Sequence, residues 1–280
     1  MFRFLKSFTN TNKSNQLKKF SQFKTCGLNL FEKYNKKIFD CQFGSDFHLD
    51  MNNGKFDVIN VSDNFIIAGN VGNPFSTQFE NFFSYISKKF KNIFFVAGNH
   101  DLHDYGIFNQ TLYDVNVQQI IKICNKFPNV HFLNNDCYDH NDVIIVGTPL
   151  WTQLSPNIKF IDKKTIDCHN NKHYESVQYI NDICKKYPTK KIVVVTHYVP
   201  TEKLIEEKYK LDKCANSKFC TPLEHIMKSN SNICVWISGH THIVKEHKFI
   251  FPTHTTMCAI NAHGYNPPNN VLLTKTFSIE

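Results

Sequence analysis

Arg3 is the only arginine in this 280-residue sequence, against 31 lysines. A guanidinium fork therefore cannot hold a phosphate anywhere in the body of the protein. The same imbalance, with abundant asparagine, is that of an AT-rich coding sequence. No apolar run approaches the ~18 residues that a helix needs to cross a bilayer, which excludes a helical integral membrane protein. There is no secretory h-region, because Phe2, Phe4, Leu5 and Phe8 are interrupted by Arg3 and Lys6. Ten cysteines, from Cys26 to Cys258, include no C-x-x-C pair. A small disulfide scaffold is excluded at this length, and reduced thiols in an intracellular, cytoplasmic protein are expected. No internal repeat is present.

Hydrophobic residues make up 41% of the chain and charged residues 20%, ample for a large core and incompatible with wholesale disorder. The net charge of +8 is unevenly placed. Arg3, Lys6, Lys13, Lys18, Lys19 and Lys24 give the first 31 residues a charge of +6 with no acid, leaving +2 for everything after them. Residues 1–35 are expected to be a basic, flexible extension, with mitochondrial targeting the less favoured reading. The near-neutral remainder disfavours a nucleic-acid groove.

From Lys37 onward, strand patterns alternate with helical ones. Phe39, Cys41 and Phe43 alternate with Asp40 and Gln42, a period of two. Compact apolar runs follow at Phe65 to Ala68, Ile93 to Ala97, Val143 to Val146, Ile192 to Val195 and Cys234 to Ile237. Phe79, Phe82, Phe83, Ile86 and Phe90 form one helical face, with Thr77 and Glu80 reading as its capping box. Val177, Ile180, Cys184 and Tyr187 mark a second helix. Thr221, Pro222 and Glu224 read as the start of a third. The alternation predicts an α/β layered domain over residues 36–280.

All but one of these strands run into residues of metal-ligand type. They end in Gly44-Ser45-Asp46-Phe47-His48, Gly69-Asn70, Gly98-Asn99-His100-Asp101, Thr196-His197 and Gly239-His240-Thr241-His242. Strand ends converge on one edge of a sheet, where α/β proteins place their sites. Asp, Asn and His donors suit Mn, Fe, Zn or Co. Seven such ligands are too many for one tetrahedral ion and suit two ions about 3.5–4 Å apart, which together clamp a phosphate. The other histidines, such as His103, His131, His173 and His254, are expected to be structural or solvated.

The order D-x-H, G-D, G-N-H-[DE], a lone His after a strand, then G-H-x-H resembles the calcineurin-like metallophosphoesterases. Ser45-Asp46-Phe47-His48-Leu49-Asp50, Gly147-Thr148-Pro149-Leu150-Trp151 and Thr196-His197-Tyr198-Val199-Pro200-Thr201 resemble further segments of one subgroup. The resemblance implies a four-layer α/β/β/α sandwich with two mixed β-sheets. It implies two divalent ions, one held by Asp46, His48 and His242 and the other by Asn99, His197 and His240, with position 70 bridging. His100 would sit beside the leaving group as general acid or stabilise the phosphoryl oxygens, and Asp101 would be an acid behind it that orients it. The implied activity is hydrolysis of a small phosphomonoester or phosphodiester by a metal-bound hydroxide.

The departure from the family pattern is Asn70, which stands where a bridging aspartate is expected. An amide offers one neutral oxygen, and its NH2 is a donor that a cation repels. A nuclease and a catalytically impaired binding or scaffold protein on the same fold are the alternative readings. Loops 73–78, 103–111 and 201–220 are the expected specificity elements, with Lys203, Tyr209 and Lys210 as candidate substrate contacts.

Overall fold

The computed structural model describes residues 38–54, 56, 58–102, 109–265 and 274–280. The expected N-terminal extension and most of the 103–111 loop lie outside these.

Two mixed sheets form the middle of the molecule. The first has strand order β11-β1-β2-β3-β4, built from β1 (Phe39–Gly44), β2 (Asn64–Ala68), β3 (Asn92–Val96), β4 (Val130–Phe132) and β11 (Thr276–Ile279). The second has order β5-β6-β7-β8-β10-β9, from β5 (Asp136–His140), β6 (Val143–Thr148), β7 (Lys191–Thr196), β8 (Ile233–Ser238), β9 (Val244–Ile250) and β10 (Thr255–Asn261). The central strands of each sheet are parallel; β11, β5 and β9 add antiparallel edges. β8 carries one extra residue opposite Ile192 and Val193 of β7, a bulge that restores its inward face.

Period-two alternation sorts the side chains. Ile66, Phe94, Ile145, Val193, Val195 and Ile237 meet between the sheets. Their neighbours Phe65, Ile67, Phe95, Ile144, Val194 and Trp236 face outward into helices. On one side, α1 (Thr77–Ile86) presents Phe79 and Phe83 to Phe95, with ring centroids 6.1 and 5.1 Å away. On the other side lie α4 (Lys163–Lys186) and α7 (Glu224–Ser229). Between these come α2 (Asn99–Leu102), α3 (Gln110–Cys124), α5 (Glu207–Lys210) and α6 (Lys213–Asn216). The result is the four-layer α/β/β/α sandwich with two mixed sheets. No helix among the described residues is long and apolar enough to cross a membrane.

Two helix starts differ from expectation. Ser76, not Thr77, caps α1: its Oγ accepts from Phe79 N at 3.2 Å, and Thr77 is already helical. Thr221 does not cap α7, which begins after Leu223 without a side-chain cap. Its hydroxyl instead accepts from Gln153 N at 2.7 Å, pinning the chain after β6. A hydroxyl that finds a tertiary donor is lost to its local helix.

The sheets approach most tightly where β6 carries Gly147. A Cβ there would stand 2.8 Å from Val96 Cγ2 and 2.9 Å from Leu133 Cδ1. Gly147→Ala is therefore expected to destabilise the fold by about 1–3 kcal/mol through overpacking. Urea unfolding measures it, and an unchanged midpoint would show that the two layers can slide apart without cost.

Candidate metal centre

The strand ends carry the site because the loops leaving them stay stitched together. Asp46 N donates to Gly69 O, His48 N to Asn70 O and Leu49 N to Val71 O, at 2.9–3.0 Å. Gly239 N donates to His197 O within the second sheet, and Gly264 N donates to Asp46 O, joining the loops of the two sheets. Gly239 is required by proximity: a Cβ would lie 2.6 Å from Ala68 O and 2.8 Å from Asp46 Oδ2. Asp46, His48, Asn70, His240 and His242 all have left-handed backbones, with φ between 47° and 71°. Five such residues on one edge store strain that only the surrounding pairing holds in place.

Asp46 is fully buried and saturated with donors. Oδ2 accepts from Ser45 Oγ at 2.6 Å and His240 N at 2.9 Å, and Oδ1 accepts from Asn70 Nδ2 at 3.0 Å. Burial by itself would raise its pKa. Hydrogen bonding to His242 and the fields of His197, His242 and His48 reverse that and hold it well below the usual carboxylate range. Burial drives His48 down to about 3 and His197 to about 4, in each case against the pull of Asp46, and also lowers His240 well below its ordinary value.

Six of the nine residues expected at the site come together in two groups of three. Asp46, His48 and His242 form the first. The two Nε2 atoms face each other at 2.9 Å, and they lie 3.8 and 3.5 Å from Asp46 Oδ1. A circle through atoms at those three separations has a radius of about 2.0 Å, which matches ordinary metal–nitrogen and metal–oxygen bonds. This donor set fits a divalent ion. Asn99, His197 and His240 form the second group. His197 Nε2 lies 3.0 Å from Asn99 Oδ1, its Nδ1 is fixed by Ala68 O at 2.8 Å, and the His240 ring stands 5.0 Å from it.

Asn70 lies between the groups and its amide is oriented. Oδ1 accepts from His100 N at 2.9 Å, while Nδ2 donates to Asp46 Oδ1 and, at 3.4 Å, to Asn99 Oδ1. Turning the amide over would set NH2 against the His100 N–H and oxygen against two oxygens. The NH2 hydrogens therefore occupy the place where a bridging ligand would offer negative charge, and the fit of a second ion is poor while they do.

Asp101 does not stand behind His100. Its carboxylate accepts from Asn70 N and Gly98 N, both at 2.7 Å, and from Gly72 N at 2.9 Å, tying the loop after β2 to the loop after β3. Burial pushes it up to about 7, although the N–H groups of Gly72, Gly98, Asn70 and Val71 pull the other way. His100 is touched instead by Tyr265, among others: the Tyr265 hydroxyl is 3.2 Å from His100 Nε2, and its ring lies 4.3 Å from those of His48 and His242. No sequence signal marked Tyr265; Ser45 lay inside a motif already noted. Tyr209 lines the cavity over the site, whereas Lys210 is paired with Glu207. His173 is structural, buried with Nδ1 3.1 Å from Leu150 O.

The chain belongs to the calcineurin-like phosphoesterase family, whose sequence profile matches residues 44–244. That family comprises hydrolases of phosphoester bonds. The chain is 31% identical over 229 residues to an uncharacterized protein of Acanthamoeba polyphaga mimivirus, covering 73% of this chain and 79% of that one. Its fold is similar to that of the phosphopantetheinyl hydrolase of Mycobacterium tuberculosis, with a TM-score of 0.55 at 15% identity, over 80% of this chain and 89% of that one.

Two outcomes follow from the electrostatics. Unfolded histidine takes up a proton below about 6.5, whereas folded His48 and His197 resist until about 3 and 4. Their contribution to stability is thus lost as pH falls from 6.5 towards 4. Asp101 opposes them, because its raised pKa favours the folded state at low pH and loses that contribution between 3.8 and about 7. For these three groups the net effect is at most about one proton, or about 1.4 kcal/mol per pH unit near pH 5, with stability of the metal-free protein climbing from pH 4 to 6.5. Urea midpoints at three pH values measure this, and a flat or falling series would overturn it. Separately, Asn70→Asp removes the misplaced NH2. Bound Mn²⁺ per chain should rise from about one to about two by metal analysis, and the metal-free variant should be about 1–3 kcal/mol less stable.

Proposed function

We propose that this protein hydrolyses a small-molecule phosphoester with a divalent ion held by Asp46, His48 and His242. The observation that carries the reading is the spacing of those three donor atoms at the open end of a buried carboxylate. When bound, such an ion supplies Lewis acidity at a phosphoryl oxygen and a water of lowered pKa. Mn, Fe, Zn and Co all suit the nitrogen and oxygen donors. Asn99, His197 and His240 would hold a second ion once the Asn70 amide turns or is replaced. The free thiols among the described residues suit a reducing, intracellular compartment.

The chain's own groups supply the remaining chemistry. His100 sits at the mouth, its ring 4.7 Å from that of His48. Its Nε2 is the atom placed to give a proton to the departing alcohol oxygen, and Tyr265 keeps that nitrogen facing the cavity. The left-handed backbones of His240 and His242 turn both imidazoles toward the same opening. Low dielectric around Asp46 strengthens every interaction made there.

The Asn70 amide favours a second reading, a binding protein that has given up turnover. The two are separated by His100→Asn assayed with Mn²⁺ on aryl phosphomonoesters and phosphodiesters. The hydrolase reading expects kcat to fall by about 10²–10⁴ with bound metal unchanged. A parent protein that binds metal and hydrolyses none of these esters would instead establish the binding reading.

A further inference from the structure

A cavity of about 700 Å³ opens from the donor residues, and its lining is of two kinds. Asn70, Asn99, His100, His240 and His242 supply the polar part. Leu154, Ile161 and Ile205 supply aliphatic wall, and the rings of Phe160, Tyr209 and Phe219 complete its rim. The three rim rings are 100%, 54% and 37% exposed. Burial in the fold does not explain them, since the core is complete without them. Phe160 is also held in the left-handed region at φ 67°, a costly conformation for a bulky side chain that no buried contact repays.

The two kinds of lining meet. The Phe219 ring lies 5.1 Å and the Tyr198 ring 4.5 Å from His240, and Lys218 O stands 3.3 Å from His240 Nε2. A phosphate seated against His240 and His242 would therefore have Phe219 within reach of its ester group. A phosphate alone would leave most of the volume empty, and cavities of this size take whole organic ligands. Lys159 and Lys218 line this space with Glu206 as its acid, too little positive charge to track a polynucleotide. A sugar or polyol would lay its hydroxyls against aliphatic and aromatic carbon and lose their hydrogen bonds to water.

Resting on the proposed hydrolase reading, we infer that the substrate is a phosphoester of a bulky apolar alcohol, aryl or long-chain alkyl, seated on Phe219, Tyr209 and Phe160. Burying such a group against rings and aliphatic carbon supplies affinity that the phosphate end, common to all phosphoesters, cannot.

The test uses the full chain with Mn²⁺ and three non-hydrolysable probes: naphthylmethylphosphonate, octylphosphonate and 2-hydroxyethylphosphonate. Calorimetry is expected to show one or both apolar probes binding at least tenfold more tightly than the polar one. The tighter of the two identifies the alcohol as aryl or alkyl. Tyr209→Ala and Phe160→Ala remove rings the fold does not use, so the thermal midpoint should hold while the preference shrinks severalfold. Equal binding of all three probes overturns the inference, as does a preference that survives both substitutions. Turnover is scored separately. Preferential binding without hydrolysis of naphthyl or octyl phosphate, as monoester or diester, would sink the hydrolase reading and leave the apolar subsite standing. Equal kcat/KM for naphthyl phosphate and glycerol phosphate would do the reverse.

Discussion

An ionised carboxylate with no access to water governs this structure. Asp46 has to be surrounded by donors, because an isolated buried charge costs far more than a domain can supply. Ser45 gives a hydroxyl, His240 its backbone N–H, Asn70 its amide and three imidazoles their field. Those donors come from strands of both sheets, so the charge is satisfied only when the sheets are stacked with their ends in register. The left-handed turns at five site residues follow from the same demand. Extended backbone would carry these side chains past the carboxylate rather than round it.

The network also divides the site into a buried floor and a mouth. Asp46, His48 and His197 are buried away from the cavity, Asn99 is buried at its floor, and His100, His240 and His242 reach into it half-exposed. The floor fixes where charge sits; the mouth leaves imidazoles to meet a ligand. Trp151 stacks on Tyr198 at 6.0 Å, and Tyr198 lies against His240, so packing from the second sheet sets the wall of the mouth. Leu150 and Trp151 are themselves left-handed, which turns that indole inward.

Much of this was legible in the sequence, for a physical reason. Buried parallel strands must be continuous apolar runs, so Phe65 to Ala68 and Ile192 to Val195 announced themselves. Residues of ligand type at the ends of such runs had nowhere to converge except one sheet edge. Less was legible where partners are distant in sequence. Thr221 reads as a cap until Gln153 claims it. Asp101 reads as a partner of His100 until three backbone amides take both its oxygens. β9 has four consecutive polar residues, Lys245 to Lys248, in its middle and no compact apolar run, and β11 is only four residues long, so neither stood out. The cavity wall was legible in part: loop 201–220 and Tyr209 were expected there and do line it, whereas Leu154, Phe160 and Ile161 belong to a loop whose spacing carries no period.

The Asn70 amide has a consequence at another level. Aspartate and asparagine codons differ only in their first base, G or A. In a coding sequence already drawn toward A and T, the step from carboxylate to amide is the one mutational pressure favours, and the step back is a single transition. Because the amide satisfies Asp46 by hydrogen bonding, either residue leaves a folded protein for selection to act on. The one-ion and two-ion forms of this site therefore stand a single base apart, with no unfolded sequence between them.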